Sequence, residues 1–332
     1  MIAAAELLGR WGIPPDAEQR RPERGTNNTT LLISHNDARW VLRISQNLTG
    51  AQVAAEHRLL GTLRQAGLPF AVPEPVAALD GRTVIETESG PATLCRWLPG
   101  VRPDLTDLAM LTRFGTALGQ LSVALRDAPA EDAPHDWRRA DPLQVHPAVS
   151  DVPDLCARLE VARVDAEPLR DGARRVMRWW DSEVRAELPS QIVHGDFAAS
   201  NMLIDPESGQ VSAVLDFEIA GTDFRIQDPV ASLGQSGALD GPDWERRVTA
   251  LMSGYRSQVT LSEPELLAIP DLVLWRSIGT VLWRSGRWLR GQDPTDLVAD
   301  RIEDLARSMD WLDARGQRLV SCCRESGPVT PS

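Results

Sequence analysis

The chain has 332 residues, 42% of them hydrophobic and 25% charged, which is enough for one large domain or two joined lobes and excludes global disorder. Its net charge of −12 excludes the basic face that a nucleic-acid binder needs. All 35 basic residues are arginine, so no step can use a lysine and any phosphate clamp must be an arginine.

The predicted elements begin with a short helix over 2–10. "TTLLI" (29–33) and "RWVLRIS" (39–45) read as strands around the polar turn "SHNDA". A helix follows over 50–67, with Val53, Leu59, Leu60 and Leu63 at helical spacing and Gly67 to stop it. "VPEPVAAL" and "RTVIET" read as a strand pair around "DG", and "ATLCRWLPG" (92–100) as a strand ending at Pro-Gly. Residues 20–96 therefore form a mostly antiparallel sheet with one inserted helix.

From Asp104 the pattern turns helical. Residues 104–125 are amphipathic, with Asp104 placed as N-cap. Residues 128–154, rich in Pro, Asp and His, read as an irregular insertion. A helix over 170–188 precedes two strand-like runs, and three helices close the chain at 242–258, 263–291 and 295–318. The organisation expected is a β-rich lobe over 1–96, a linker over 97–103, a helical lobe over 104–318 and a disordered tail over 319–332. Ligands favour clefts between such lobes.

Cys95, Cys156, Cys322 and Cys323 form no C-x-x-C pair and have no His at ligand spacing, so neither a zinc site nor a disulfide framework is expected. The start "MIAAAELLGRWGI" lacks the basic flank of a signal peptide, and no run of 18 apolar residues occurs. The expectation is a reduced, cytoplasmic chain with no membrane partner.

The chemistry is concentrated in "VHGDFAASN" (193–201) and "VLDFEIAG" (214–221). Phosphoryl transfer needs an oriented hydroxyl and a metal to neutralise phosphate charge. Asp196 is suited to take the hydroxyl proton. Asn201 offers an amide oxygen, and Asp216 a carboxylate, to Mg²⁺, which prefers a few hard oxygen ligands plus phosphates. His194 is placed to hold the loop backbone. Singly, each of these is an ordinary turn residue. Their order, H-x-D-x-x-x-x-N, then an apolar strand, then D-F, is far more specific.

"HGDFAASNMLID…VLDFEIAG" resembles the aminoglycoside phosphotransferase family, with its choline-kinase and type II homoserine-kinase relatives, over roughly residues 20–315. The resemblance implies an α+β, bilobal, protein-kinase-like fold, ATP or GTP with Mg²⁺, and a small-molecule hydroxyl as acceptor. It makes Asp196 the catalytic residue, and Asn201 and Asp216 the metal ligands. "RGTNNTTLLI" (24–33) is similar to the family's nucleotide-covering loop, with Gly25, Thr26 and Asn27 at its tip; a plain hairpin turn is the alternative. Arg43 takes the phosphate-gripping position, with Glu56 as its ion-pair partner. The backbone at Cys95–Trp97 would pair with the purine.

For the acceptor, Glu218 is an acidic candidate for a substrate amine, and Asp228, before Pro229, reads as a helix N-cap. Trp275 and Trp283, eight residues apart, form either a stacking surface or a core stripe. Arg276, Arg284 and Arg287 either receive a carboxylate or line a solvated face. Three functions compete. An antibiotic O-phosphotransferase comes first, on the lysine-free, high-GC composition and the insertion at 128–154. A metabolic kinase for homoserine, choline or a related amino alcohol comes second, on small-lobe resemblance. A nucleotide-binding pseudoenzyme comes third, and intact Asp196, Asn201 and Asp216 argue against it.

Overall fold

The computed structural model describes residues 7–22, 28–137 and 141–327. It forms two compact units. The first comprises the described residues of Met1–Asp104, Gln120–Asp136 and Gln191–Asp223, and the second those of Leu105–Gly119, Trp137–Ser190 and Phe224–Ser332.

An antiparallel sheet founds the first unit, in the order β1 (Glu18–Arg20), β2 (Asn28–His35), β3 (Ala38–Ser45), β4 (Ala92–Arg96). β2 and β3 join by a two-residue turn with Asn36 at φ 51°, a left-handed conformation that asparagine tolerates better than most residues. Side chains alternate across strands. Leu42 and Leu94 therefore enter a core with Leu8, Trp11, Ile13, Ile33 and Ile85, while Arg43 and its register partner Thr93 lie on the opposite face. Helix α1 (Gly50–Gln65) starts at a capping box between Thr49 and Gln52 and buries Val53, Glu56, Leu59, Leu60 and Leu63. Gly67, at φ 72°, stands just past its end.

This unit departs from the sequence reading at several points. β1 is an added strand whose three residues are all exposed, so it carries no apolar signal. Of the helix expected over 2–10, residues 2–6 lie outside the described residues; Leu7 and Leu8 are helical, and a 3-10 turn over Gly9–Trp11 follows. The turn at Asp80–Gly81 forms, with the Ala78 N–H donating to the Arg82 carbonyl at 2.7 Å. Beyond that closing bond its flanks do not pair with each other. Val76 donates to Leu94, and Ile85 exchanges bonds with Ala92. Pro73 and Pro75 have no N–H to complete a ladder, so only isolated bridges result.

A second, small sheet has the order β5 (His135–Asp136), β9 (Gly221–Phe224), β6 (Ser190–Val193). β7 (Met202–Ile204) and β8 (Val211–Val214) form a hairpin. Ala71 donates to Ser212 and accepts from Val214, both at 2.9 Å, and Val101 exchanges bonds with Ile204. These main-chain bonds join Gln191–Asp223 to the first unit, whereas the sequence reading put this stretch in the lobe over 104–318.

The second unit is helical. Helix α2 (Leu108–Arg126) belongs to it as far as Gly119. It starts four residues later than read, because Asp107 and not Asp104 accepts the Ala109 N–H at 3.0 Å. The remaining helices are α3 (Val152–Val161), α4 (Glu167–Trp180), α5 (Glu183–Ala186), α6 (Gln227–Gln235), α7 (Trp244–Arg256), α8 (Glu263–Leu289) and α9 (Thr295–Glu325). Asp228 lies in the first turn of α6, after its N-cap Ile226. A Cβ on Gly115 would sit 1.9 Å from the Leu251 carbonyl oxygen, and one on Gly254 2.1 Å from that of Thr112. These two glycines let α2 and α7 cross backbone to backbone.

The tail expected at 319–332 is, as far as Glu325, the end of α9, with Leu319, Val320, Cys322 and Cys323 buried. Arg256 on α7 caps it by donating to the Cys323 and Arg324 carbonyls at 2.6 Å. All four cysteines are free. Helices α2 and α8 are long and apolar enough to cross a membrane by length and composition alone. More than half of each apolar stretch is buried within the protein, as in core helices.

Candidate active site

The loop after β6 is held by His194, which is fully buried. Its Nε2–H donates to the Leu215 carbonyl at 3.0 Å, and its Nδ1 accepts the Asp196 N–H at 3.2 Å. One nitrogen donates and the other accepts, so the ring is the neutral Nε2–H tautomer. Phe197 and Phe217 flank it. Gly195, at φ 82°, completes the bend; a Cβ there would approach the Ile219 carbonyl to 3.0 Å. His194 thereby ties the segment carrying Asp196 to the segment carrying Asp216.

Asn201 donates from Nδ2 to the Asp196 carbonyl at 2.9 Å and to Asp196 Oδ2 at 3.0 Å. Its own carbonyl accepts the Leu215 N–H at 2.8 Å. With the amide donor committed to Asp196, Oδ1 is the atom that Asn201 can offer a cation. Asp216 follows β8 at φ 67°. Burial raises its pKa, Arg43 opposes that rise, and the Glu56 and Asp196 carboxylates add to it. This excess of negative charge, with one carboxylate and one amide oxygen, fits a divalent ion that takes its other ligands from phosphate and water. No group of three or more His, Cys, Asp or Glu forms a closed metal site among the described residues.

Arg43 on β3 donates to Glu56 of α1 at 2.5 Å, with 18% and 3% of their side chains exposed. Burial opposes the guanidinium charge, but Glu56, by its charge and its hydrogen bond, more than restores it and raises the pKa. Glu218 accepts from Asn28 Nδ2 at 2.5 Å. Its carboxyl is pushed up first by burial and then by Asp216. Asn28 is the first residue of β2, and Gly25, Thr26 and Asn27 lie outside the described residues.

Cys95 is a neutral thiol, pushed up to about 12 by burial, with Arg43 opposing and Glu56 and Glu74 adding. The Arg96 N–H donates to the Glu74 carbonyl at 3.0 Å and the Trp97 N–H to that of Arg39 at 3.1 Å. The Arg96 and Trp97 donors of the expected purine edge are therefore taken, and Leu98 carries the next N–H.

His57, beside Glu56, meets the Thr83 hydroxyl through Nδ1 at 2.8 Å, and its Nε2 is buried without a partner among the described residues. Burial first, and the Arg43 charge second, lower its pKa to about 4. The neutral ring is favoured in the folded state, so the unfolded chain binds more protons between about pH 6.5 and 4. Stability present above pH 6.5 is thus lost as pH falls through this window, by on the order of 2 kcal/mol. Unfolding free energies of wild type and His57→Asn, measured from pH 7 to pH 4, should diverge by that amount. Parallel curves would mean that the ring is not held neutral.

In the second unit, Trp275 is buried among Trp179, Trp180 and Phe224, and its indole N–H donates to the Pro142 carbonyl at 2.8 Å. For Trp275 this is the core-stripe alternative, and its ring is not presented as a stacking surface. Eight residues rotate a helix by about 80° beyond two full turns, so Trp283 leaves this core and lies 39% exposed against the edge of His146. Arg284 and Arg287 both bind the buried carboxylate of Asp293, so the acid they receive belongs to the protein. Arg276 is half-buried on α8. The sequence reading missed Asn28 and His135, whose roles depend on partners far away in the chain.

Residues 18–267 match the model of the APH phosphotransferase enzyme family. A homoserine kinase from Gluconacetobacter diazotrophicus is 30% identical over 328 residues, covering 92% of this chain and 95% of that protein. The structure of a microcompartment-associated aminopropanol kinase superposes with a TM-score of 0.68 at 20% identity, over 95% of this chain and 98% of that one. An amicoumacin kinase, solved with AMP-PNP and Ca²⁺, superposes with a TM-score of 0.68 at 16% identity, over 92% and 90%. The fold is the α+β, protein-kinase-like one, with an antiparallel sheet in the first unit and helices in the second. The matched span contains Arg43, Glu56, Asp196, Asn201 and Asp216, and the chain belongs to the APH phosphotransferase enzyme family, whose members transfer a phosphoryl group from a nucleotide to a hydroxyl.

Proposed function

We propose that this phosphotransferase transfers the γ-phosphoryl group of Mg²⁺-bound ATP or GTP to the hydroxyl of a small amine-bearing alcohol, with homoserine the first candidate. The observation that carries the reading is the Asp196 carboxylate held by Asn201, next in charge to Asp216. In this mechanism Asp196 orients the acceptor hydroxyl and takes its proton. Arg43, fixed by Glu56, offers a planar guanidinium to the phosphates. Asp216 and Asn201 Oδ1 would hold Mg²⁺, which neutralises phosphate charge when bound. Glu218 is the acidic group for a substrate amine and shares its carboxylate with Asn28. The purine takes its backbone donor from Leu98 or beyond. A reduced, cytoplasmic chain remains the expectation.

Homoserine comes first because the resemblance to a homoserine kinase runs along nearly the whole chain. The described residues of the stretch 128–154, expected to accommodate a larger substrate, are also largely engaged in structure. Asp132 and His135 bond to α1, Pro142 receives Trp275, and His146 fills the space over Gly286. An antibiotic acceptor is the second reading. The likeness in fold to the amicoumacin kinase and the lysine-free composition support it.

A coupled nucleotide-turnover screen with Mg²⁺, run with ATP and GTP separately, tests both. Homoserine, choline and aminopropanol stand beside aminoglycoside, macrolide and peptide antibiotics. Turnover on homoserine, with a mass gain of one phosphoryl group, is expected. Turnover on an antibiotic alone would replace the first reading by the second.

Arg43→Ala is expected to raise the nucleotide KM by about tenfold. It should also cost about 3 kcal/mol of stability, because Glu56 is left buried and unpaired. Arg43→Lys keeps the charge and should recover most of the stability but less of the KM. An unaltered KM in folded Arg43→Ala would mean that another arginine grips the phosphates.

A further inference from the structure

Helix α1 carries Glu56, and a short segment some 70 residues later holds that helix at two points. At the first, Gln52 donates from Nε2 to His135 Nδ1 at 3.2 Å, and His135 donates from Nε2–H to the Glu218 carbonyl at 2.9 Å. The Gln52 side chain cannot turn round, because its Oε1 accepts both the N–H and the hydroxyl of Thr49 in the capping box. At the second point, Asp132 accepts from Arg58 Nε and from the Thr62 hydroxyl, each at 3.1 Å. Glu56 lies between the two. The segment is itself fixed, since His135 and Asp136 pair in parallel with Gly221 and Thr222 of β9, just after Glu218.

We propose that His135, assisted by Asp132, is a positioning residue for phosphoryl transfer: it sets α1, and through Glu56 the guanidinium of Arg43, at a fixed distance from the strand end carrying Asp216 and Glu218. The proposal rests on the phosphotransferase reading above. Its logic is geometric. Arg43 and Asp216 act on the same nucleotide phosphates from two separate elements, and the Glu56 contact places Arg43 only if α1 is itself placed. The imidazole bridges the two elements with one donor and one acceptor. Most side chains cannot do both, whereas asparagine and glutamine can each keep one of the two bonds.

The test uses the full chain with His135→Ala, His135→Asn, His135→Gln and Glu56→Gln. Amide hydrogen exchange should rise in His135→Ala over residues 53–62 and not in α9, where a global loss of stability would also show. The Kd for Mg·ATP or Mg·GTP by calorimetry should rise about fivefold, as when the competent position of α1 is only partly populated. The Asn and Gln variants should fall between, and they carry the test if the Ala variant does not fold. In the Glu56→Gln background the effect of His135→Ala on Kd should vanish, because His135 acts through Glu56. Additive effects, or unchanged α1 exchange in folded His135→Ala, would overturn the proposal. Failure of the wild type to bind either Mg·nucleotide would instead overturn the phosphotransferase reading, and the exchange data would still decide whether His135 holds α1.

Discussion

Asp196→Ala is expected to lower kcat by about 10³-fold, within the range for losing a general base, while the Kd for Mg·nucleotide stays within about twofold. The separation follows from the site. Asp196 is positioned from two sides, by His194 on its N–H and by Asn201 on its carbonyl and carboxylate. Two of these three bonds end on backbone atoms, so they survive removal of the carboxylate. The loop should keep its shape, and Arg43 and Asp216 should keep their places. Loss of the Asp196 charge also relieves repulsion on Asp216. Turnover on the acceptor identified by the screen, with calorimetry on Mg·nucleotide alone, separates the two quantities. Near-wild-type turnover would remove Asp196 from the reaction. A parallel loss of nucleotide affinity would assign it to the metal site instead.

What could be read from the chain depended on how far the chemistry is spread along it. Asp196 and Asn201 lie five residues apart and touch, so their spacing alone encodes the contact. Arg43 and Glu56 were legible only through the family resemblance: strand and helix patterns place each on its own element, but nothing local pairs them across 13 residues. His135 was out of reach altogether. It sits in a two-residue strand with no periodicity, and its partners Gln52 and Glu218 are each 83 residues away. Trp275 shows the same limit in reverse. Its spacing to Trp283 marks a helix, but a buried indole and an exposed one look identical until Trp179, Trp180 and Phe224 are brought around one of them. The end of α9 was misread because Gly, Pro and Ser after residue 325 give the whole tail a disordered composition, although Leu319, Val320 and Cys323 continue the apolar face. The flanks of the Asp80–Gly81 turn failed by chemistry that was visible: proline cannot donate to a ladder.

Asp216 offers the sharper test of the metal site, because removing its charge should have effects of opposite sign. The residue sits at φ 67°, where alanine would be strained and asparagine is tolerated, so Asp216→Asn is the variant to make. Without metal, its carboxylate is buried near Asp196 and Glu56, and its raised pKa shows that the ionised form is disfavoured. Neutralising it should therefore leave the metal-free protein as stable as wild type or slightly more so. The Kd for Mg·nucleotide should rise by about tenfold or more, since an amide replaces the one carboxylate of the proposed ligand pair, while nucleotide in EDTA should bind both proteins alike. Thermal unfolding without metal, and calorimetry with and without Mg²⁺, read the three quantities. Lower stability with unchanged Mg·nucleotide affinity would make Asp216 a loop residue held for its backbone. Higher stability with weaker Mg·nucleotide binding would show that the fold keeps a destabilising carboxylate at this position for the sake of the cation.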